Sequence, residues 1–215
     1  MAFAIDKFNN WTSGAAAGPR YWAYESTTDT MATILAANYF LTVGNSLDPF
    51  DLIYIVATDG RGTFEVTSAS ATAVTMGPSS GVAVARVTIP TASVLDLADT
   101  PYQLVAAPGA GRILYFEGAL LQLDYNTVQY TENADNLDVR YTAEAGVAVS
   151  TVIECTGFID QAADTFARAL PVLNAITANS AGENAALVLV NPNDDFAAGN
   201  SPLIVDTYYR IVTGV

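Results

Sequence analysis

Histidine is absent from the 215 residues, and cysteine occurs once, at Cys155. No Ser-His-Asp or Cys-His arrangement can therefore be built, and no histidine-ligated metal centre. A single thiol also removes zinc and iron–sulfur sites. Cys155 shares the apolar parity of Val147, Val149, Thr151 and Ile153, which reads as a buried, inert thiol. Pro108-Gly109-Ala110-Gly111-Arg112 lacks the Gly-Lys-Ser/Thr ending of a phosphate loop and reads as a turn. What remains is carboxylate chemistry. Asn193-Asp194-Asp195, within Asn191-Pro-Asn-Asp-Asp-Phe, could offer oxygen ligands to calcium. One acidic cluster supplies too few ligands by itself, so the stretch reads as a solvated turn. Paired carboxylates could serve glycoside hydrolysis. However, 22 acidic residues over this length form chance pairs, and the only tryptophans, Trp11 and Trp22, lie far along the chain from Asp194. The expectation is no enzyme, and no catalytic, cofactor-binding or metal residue is assigned.

Composition narrows the partners. The formal charge is −14, Lys7 is the only lysine, and seven arginines are scattered singly. No basic patch exists to release counterions from phosphate, so neither nucleic acid nor an acidic membrane is an expected partner. Charged residues make up only 14% of the chain, well below the usual quarter. Either other subunits cover part of the surface, or Thr, Ser and Asn supply the polarity. Met1-Ala-Phe-Ala-Ile-Asp has no basic n-region, and no window nears the roughly 18 apolar residues that span a bilayer. The chain is expected to be made in the cytoplasm and to stay soluble.

The elements divide into two parts. Residues 1–20 form a polar arm carrying Phe3, Phe8 and Trp11, which either packs on its own domain or anchors on a neighbour. A small α+β domain is expected over 21–76, one helix beside an antiparallel sheet. Its parts are a strand at Tyr21–Ser26, a helix from the Thr27-Thr28-Asp29 caps to Tyr39, and a strand over Asp51–Thr58. A turn at Asp59-Gly60-Arg61-Gly62 and strands at Phe64–Ser68 and Ala71–Met76 complete it. Gly77-Pro-Ser-Ser-Gly81 is the expected linker.

Residues 82–215 read as a β-sandwich, with a jelly roll as its expected form. Strands are expected at Ala83–Pro90, Gln103–Ala106, Arg112–Tyr125, Leu137–Tyr141, Val147–Thr156, Ala186–Val190 and Leu203–Val212. Apolar residues occupy both parities of Arg112–Tyr125, the pattern of a central strand covered on both faces. Phe158–Ala178 reads as a loop plus a short strand or helical turn ended by Pro171. The fold class is mainly β.

Two strings carry a family likeness. Tyr21-Trp-Ala-Tyr-Glu-Ser-Thr-Thr-Asp-Thr-Met-Ala-Thr-Ile, Asn38-Tyr39-Phe40 and Asp51-Leu-Ile-Tyr-Ile-Val-Ala-Thr-Asp59-Gly60 resemble a module of tailed-bacteriophage structural proteins. There a Ser/Thr-x-Asp-Thr helix is followed by a Gly-Asp-Leu-Ile strand; here Phe50 stands in the glycine's place. Leu95-Asp-Leu, Thr100-Pro-Tyr-Gln-Leu-Val-Ala-Ala-Pro-Gly-Ala-Gly111 and Tyr208-Tyr-Arg-Ile-Val212 resemble the β-sandwich of phage head-decoration and fibre proteins. The resemblance implies a capsid decoration (cement, head auxiliary) or head-fibre protein on the virion surface. It implies a homo-oligomer, expected as a trimer, with the major capsid protein as partner. Phe3, Phe8 and Trp11 are then the expected contact arm. The alternative is a receptor- or glycan-binding head-fibre or tail-tip module.

Overall fold

A computed structural model describes residues 7–10, 20–78, 81–132, 135–172 and 179–213. The chain divides into two compact units, Met1–Val84 and Ala85–Val215, and is mainly β, as expected.

In the first unit, β1 (Phe8–Asn10), β2 (Tyr21–Glu25), β3 (Leu52–Ala57), β4 (Gly60–Ala69) and β5 (Val74–Pro78) pair in that order. The expected antiparallel order breaks once, because β2 and β3 run parallel, Tyr21 opposite Leu52. Parallel neighbours require a crossover, and residues 26–51 supply it. The expected long helix is instead a single turn, α1 (Met31–Ile34), capped by Thr30, whose side chain accepts from the Thr33 N–H. Asn38 stops it. Its φ is +68°, its N–H donates to the Val74 carbonyl at 2.8 Å, and its Oδ1 accepts from the Val74 N–H at 3.0 Å. A 3₁₀ segment, Leu41–Ser46, follows.

The expected linker also needs correction, since Gly77 and Pro78 belong to β5, with Pro78 opposite Phe64. Gly77 serves close strand packing rather than a turn: a Cβ there would lie 2.3 Å from Thr67 Cγ2. The unit boundary falls a few residues later, at the start of β6 (Ala83–Ile89).

The second unit continues with α2 (Thr91–Val94), β7 (Tyr102–Val105), β8 (Arg112–Leu123), β9 (Asn136–Tyr141), β10 (Ile153–Glu154), β11 (Thr165–Ala169), α3 (Asn179–Gly182), β12 (Leu187–Val190) and β13 (Leu203–Thr213). One sheet has the order β6-β13-β8-β11, the other β10-β9-β12-β7. The pairs β6–β13, β7–β12, β8–β11 and β9–β10 are nested, as when one long hairpin is rolled into two four-stranded sheets. That is the winding of a jelly roll. Leu114, Phe116, Leu121, Leu123, Val205 and Ile211 of one sheet and Leu104, Leu137, Val139, Leu187 and Leu189 of the other are buried. Tyr141, on β9, donates its hydroxyl to the Leu114 carbonyl on β8 at 2.6 Å, which ties the sheets together.

Two expectations change in this unit. Val147–Thr156 is mostly not strand. Ser150 Oγ accepts the Val139 N–H at 2.8 Å, and side-chain competition of this kind replaces a ladder. β8 is central but not covered on both faces, since Tyr115 is 55% exposed. Its doubled apolar parity comes from a bulge. Tyr208 pairs with Gly118 and Tyr209 with Phe116, leaving Glu117 as the extra residue. Before the bulge Leu114 and Phe116 point inward; after it Ala119, Leu121 and Leu123 do. One inserted residue exchanges the faces. In the segment with two readings, the short strand is observed, as β11.

Candidate interaction surface

The sequence-selected arm divides. Phe3 and Trp11 lie outside the described residues. Phe8 packs on its own unit, its ring stacked on Trp22 at 4.6 Å and 11° and tilted against Phe40 at 5.7 Å. β1 holds it there by pairing with β2, Phe8 opposite Tyr24.

Beneath that stack lies the most heavily bonded carboxylate in the first unit. Asp51 is fully buried and accepts the Arg20 N–H at 2.8 Å, the Trp22 indole N–H at 2.9 Å and the Asp48 N–H at 3.1 Å. Arg20 also reaches Asp51 Oδ2 at 3.0 Å and lies 5.3 Å from the Trp22 ring centre. Burial pushes the Asp51 carboxyl up, but the backbone N–H donors of Arg20 and Asp48 and the Trp22 indole more than offset it, leaving it below the usual range. A second knot joins Tyr24, Tyr39 and Asp29: the Tyr39 hydroxyl donates to Asp29 Oδ2 at 2.6 Å and lies 2.7 Å from that of Tyr24. Burial, then the Asp29 contact, pushes the Tyr39 hydroxyl far up. Both knots are saturated with internal partners and act as structural pins.

The remaining chemical candidates are structural as well. Cys155 is fully buried, and burial, reinforced by Glu132 and Glu154, pushes its thiol far above the nucleophilic range. Asn191 Nδ2 donates to the Asp194 carbonyl, and Asn191 Oδ1 accepts from the Asn193 N–H. Asp195 Oδ1 takes the Ala98 N–H at 2.9 Å. Its carboxylate also lies with those of Asp96 and Asp99, oxygens of all three within 4.8 Å of one another. Sequence reading saw Asp195 but not its two partners, because about a hundred residues of chain separate them. The Asn193-Asp194-Asp195 stretch thus works as a clasp between loops.

What the second unit presents outward is the outer face of the β6-β13-β8-β11 sheet. Register places Phe166, Gln122 and Ile204 in one row and Arg168, Leu120 and Asp206 in the next. Beyond the bulge, Arg210 lies opposite Tyr115 and Val212 opposite Ile113. Phe166 is 72% exposed, and Tyr115, Tyr208 and Val212 are also open. The polar members are mostly engaged with one another. Arg86 forks onto Asp206 at 2.7 and 2.6 Å, and Arg210 Nε reaches Glu117 at 2.7 Å. The face thus sets open aromatic rings among preformed ion pairs. Sequence periodicity hid this face, because the bulge scrambles its parity and β11 could be read two ways. At one end, Phe166, Gln122, Asp124, Asp164 and Ile204 border an open hollow of about 340 Å³.

No family model, curated protein or solved structure matches this chain.

Proposed function

We propose that this chain is a virion structural protein of the tailed-phage type, decorating and stabilising a capsid through oligomeric surface contacts. The observation that carries the reading is the open aromatic face of the jelly roll, in a chain without histidine. Contact area is what that face offers. The family likeness supports it further. Phe50, standing where the resembling module has glycine, adopts φ +74°, a conformation that favours glycine. In this reading the chain is not an enzyme. It sits on the capsid surface as a homo-oligomer, a trimer by resemblance, against the major capsid protein. Many modest contacts, each repeated around a symmetric shell, would brace it.

A second reading, a glycan-binding head-fibre or tail-tip module, is favoured by the hollow beside Phe166. An exposed ring with Gln122, Asp124 and Asp164 around it could stack a sugar and accept its hydroxyls.

Quantitative gels of purified virions separate the two. Decoration requires copies on the order of hundreds per particle, following shell symmetry. Copies confined to a vertex or tail tip would overturn decoration in favour of the fibre reading.

A further inference from the structure

The hollow beside Phe166 is built from the ends of three strands. Phe166 on β11 stands opposite Gln122 on β8, and Gln122 stands opposite Ile204 on β13. β8 ends at Leu123, so Asp124 is the first residue beyond it, and Asp164 immediately precedes β11. One bond holds both acids to this end of the sheet, since Asp164 Oδ1 accepts the Tyr125 N–H at 2.9 Å. The Asp124 N–H donates to the Pro202 carbonyl at 3.2 Å, which fixes its backbone too. Strand register therefore sets the floor, and bonds to the main chain set the rim.

Its chemistry is one-sided. Among the described residues, the Gln122 amide, the Asp124 carboxylate and Asp164 Oδ2 have no partner, and no arginine or lysine borders the hollow. Arg86 and Arg210 are held by Asp206 and Glu117, and Arg168 lies one row further along, opposite Leu120. An open ring, two carboxylates without a cation and a free amide thus border about 340 Å³. Ligand sites begin at about 300 Å³, so the hollow has room for roughly two sugar rings. Each part selects a feature. The C–H face of a pyranose suits Phe166, because weakly positive hydrogens meet the negative face of the ring. Gln122 both donates to and accepts from hydroxyls. An anionic sugar is repelled by Asp124, Asp164 and a chain of net charge −14. An ammonium meets the opposite, two carboxylates beside an aromatic face.

We infer that this hollow binds a glycan with a free amino group, its pyranose ring stacked on Phe166 and its ammonium held by Asp124 and Asp164. The inference rests on the glycan-binding reading and deepens it by naming the class of sugar. A lysine side chain would use the carboxylates alone. The amide and the breadth of the hollow favour a sugar, which carries hydroxyls and a ring as well as the charge.

Amide NMR titrations of the full-length protein test it at about pH 6, below the range where amines of this kind release their proton. The probes are methyl glucosaminide, methyl N-acetylglucosaminide, and Nα-acetyl-lysine amide, which carries the ammonium without the sugar. Methyl glucosaminide should bind with a Kd on the order of 1–10 mM and move the Gln122 and Phe166 signals. It should bind about fivefold more tightly than its acetylated counterpart, the scale of exposed charge pairs. Phe166→Ala should abolish binding of both sugars. Asp124→Asn with Asp164→Asn should erase the preference and leave the weaker binding of the acetylated sugar. Asparagine keeps an oxygen for the Tyr125 N–H, and circular dichroism checks the fold. Equal binding of the two sugars, or a preference that survives the double exchange, would overturn the amino-sugar assignment and leave the glycan reading standing. Binding of the lysine probe as tightly as methyl glucosaminide would overturn it in favour of a basic protein side chain. Unchanged binding in Phe166→Ala would move the site away from this hollow, and failure of both sugars to bind would overturn the glycan reading here together with the inference.

Discussion

The two units use the same residue types in opposite ways. In the first, Phe8, Trp22, Tyr24, Tyr39 and Phe40 form one cluster, with ring centres 4.6–6.5 Å apart and polar atoms tied to Asp51 and Asp29. In the second, Tyr115, Phe166 and Tyr208 stand on a sheet face with their rings open to solvent. Aromatic content alone therefore identifies no interface. The deciding fact is whether the ring's neighbours are supplied by its own chain. Phe8, chosen from sequence as an outward contact, already has its neighbours.

The comparison breaks most sharply at Asp51. Asp51→Ala leaves the buried Trp22 indole N–H without its acceptor, takes the same acceptor from the part-buried Arg20 and Asp48 N–H groups, and should destabilise the first unit by about 2–4 kcal/mol, read by urea unfolding of tryptophan fluorescence. The same carboxylate sets an acid limit. Its folded value lies below the unfolded one of about 3.9, so its contribution is fully present above that pH and is lost as pH falls through the folded value. Wild type should lose stability over that interval, and Asp51→Ala should lose less; parallel curves would remove Asp51 from the acid response.

Gly118→Val asks whether the bulge builds the outer face. Gly118 has φ +149°, and a Cβ there would lie 3.3 Å from the Ala169 carbonyl oxygen. The substitution should cost about 2 kcal/mol by thermal or urea unfolding; a neutral result would mean the strand can shift register cheaply. Phe50→Gly should go the other way. Relief of a left-handed non-glycine residue, about 1–2 kcal/mol, exceeds the added chain entropy, so a net gain of about 0.5 kcal/mol is expected in the melting midpoint. A loss would show that the 66%-exposed ring makes a stabilising contact.

Smallest in stability and sharpest in function is Tyr115→Ser. An exposed residue outside the core should change unfolding by less than about 0.5 kcal/mol, while under the proposed decoration function occupancy on capsids should fall. Unchanged occupancy would take Tyr115 out of the contact surface.

Several elements were legible in the chain and others were not. The turn near Asp59, the strands at Tyr21, Asp51, Arg112 and Leu203, and the mainly-β class follow from periodicity and turn formers, whereas the nested pairing is set by the tertiary structure. The expected helix does not continue to Tyr39, because Asn38 takes a left-handed φ and is bonded to β5, contacts that no local pattern records. The strand β11 was ambiguous because Ala163, Phe166, Ala167 and Leu170 also fit a helical period. The Asp96, Asp99 and Asp195 grouping was invisible because only folding brings α2's turn beside the Asn191 loop.

Sequence by itself determined which reactions this protein lacks the residues for, since composition bounds chemistry whatever the fold. It also determined that most of the regular structure must be strand, because β-branched and aromatic runs between turn formers have few other ways to bury themselves. Tertiary structure alone decided which aromatics face inward. One extra residue at Glu117 exchanges the two faces of β8, and a strand's facing depends on a register that no local pattern records.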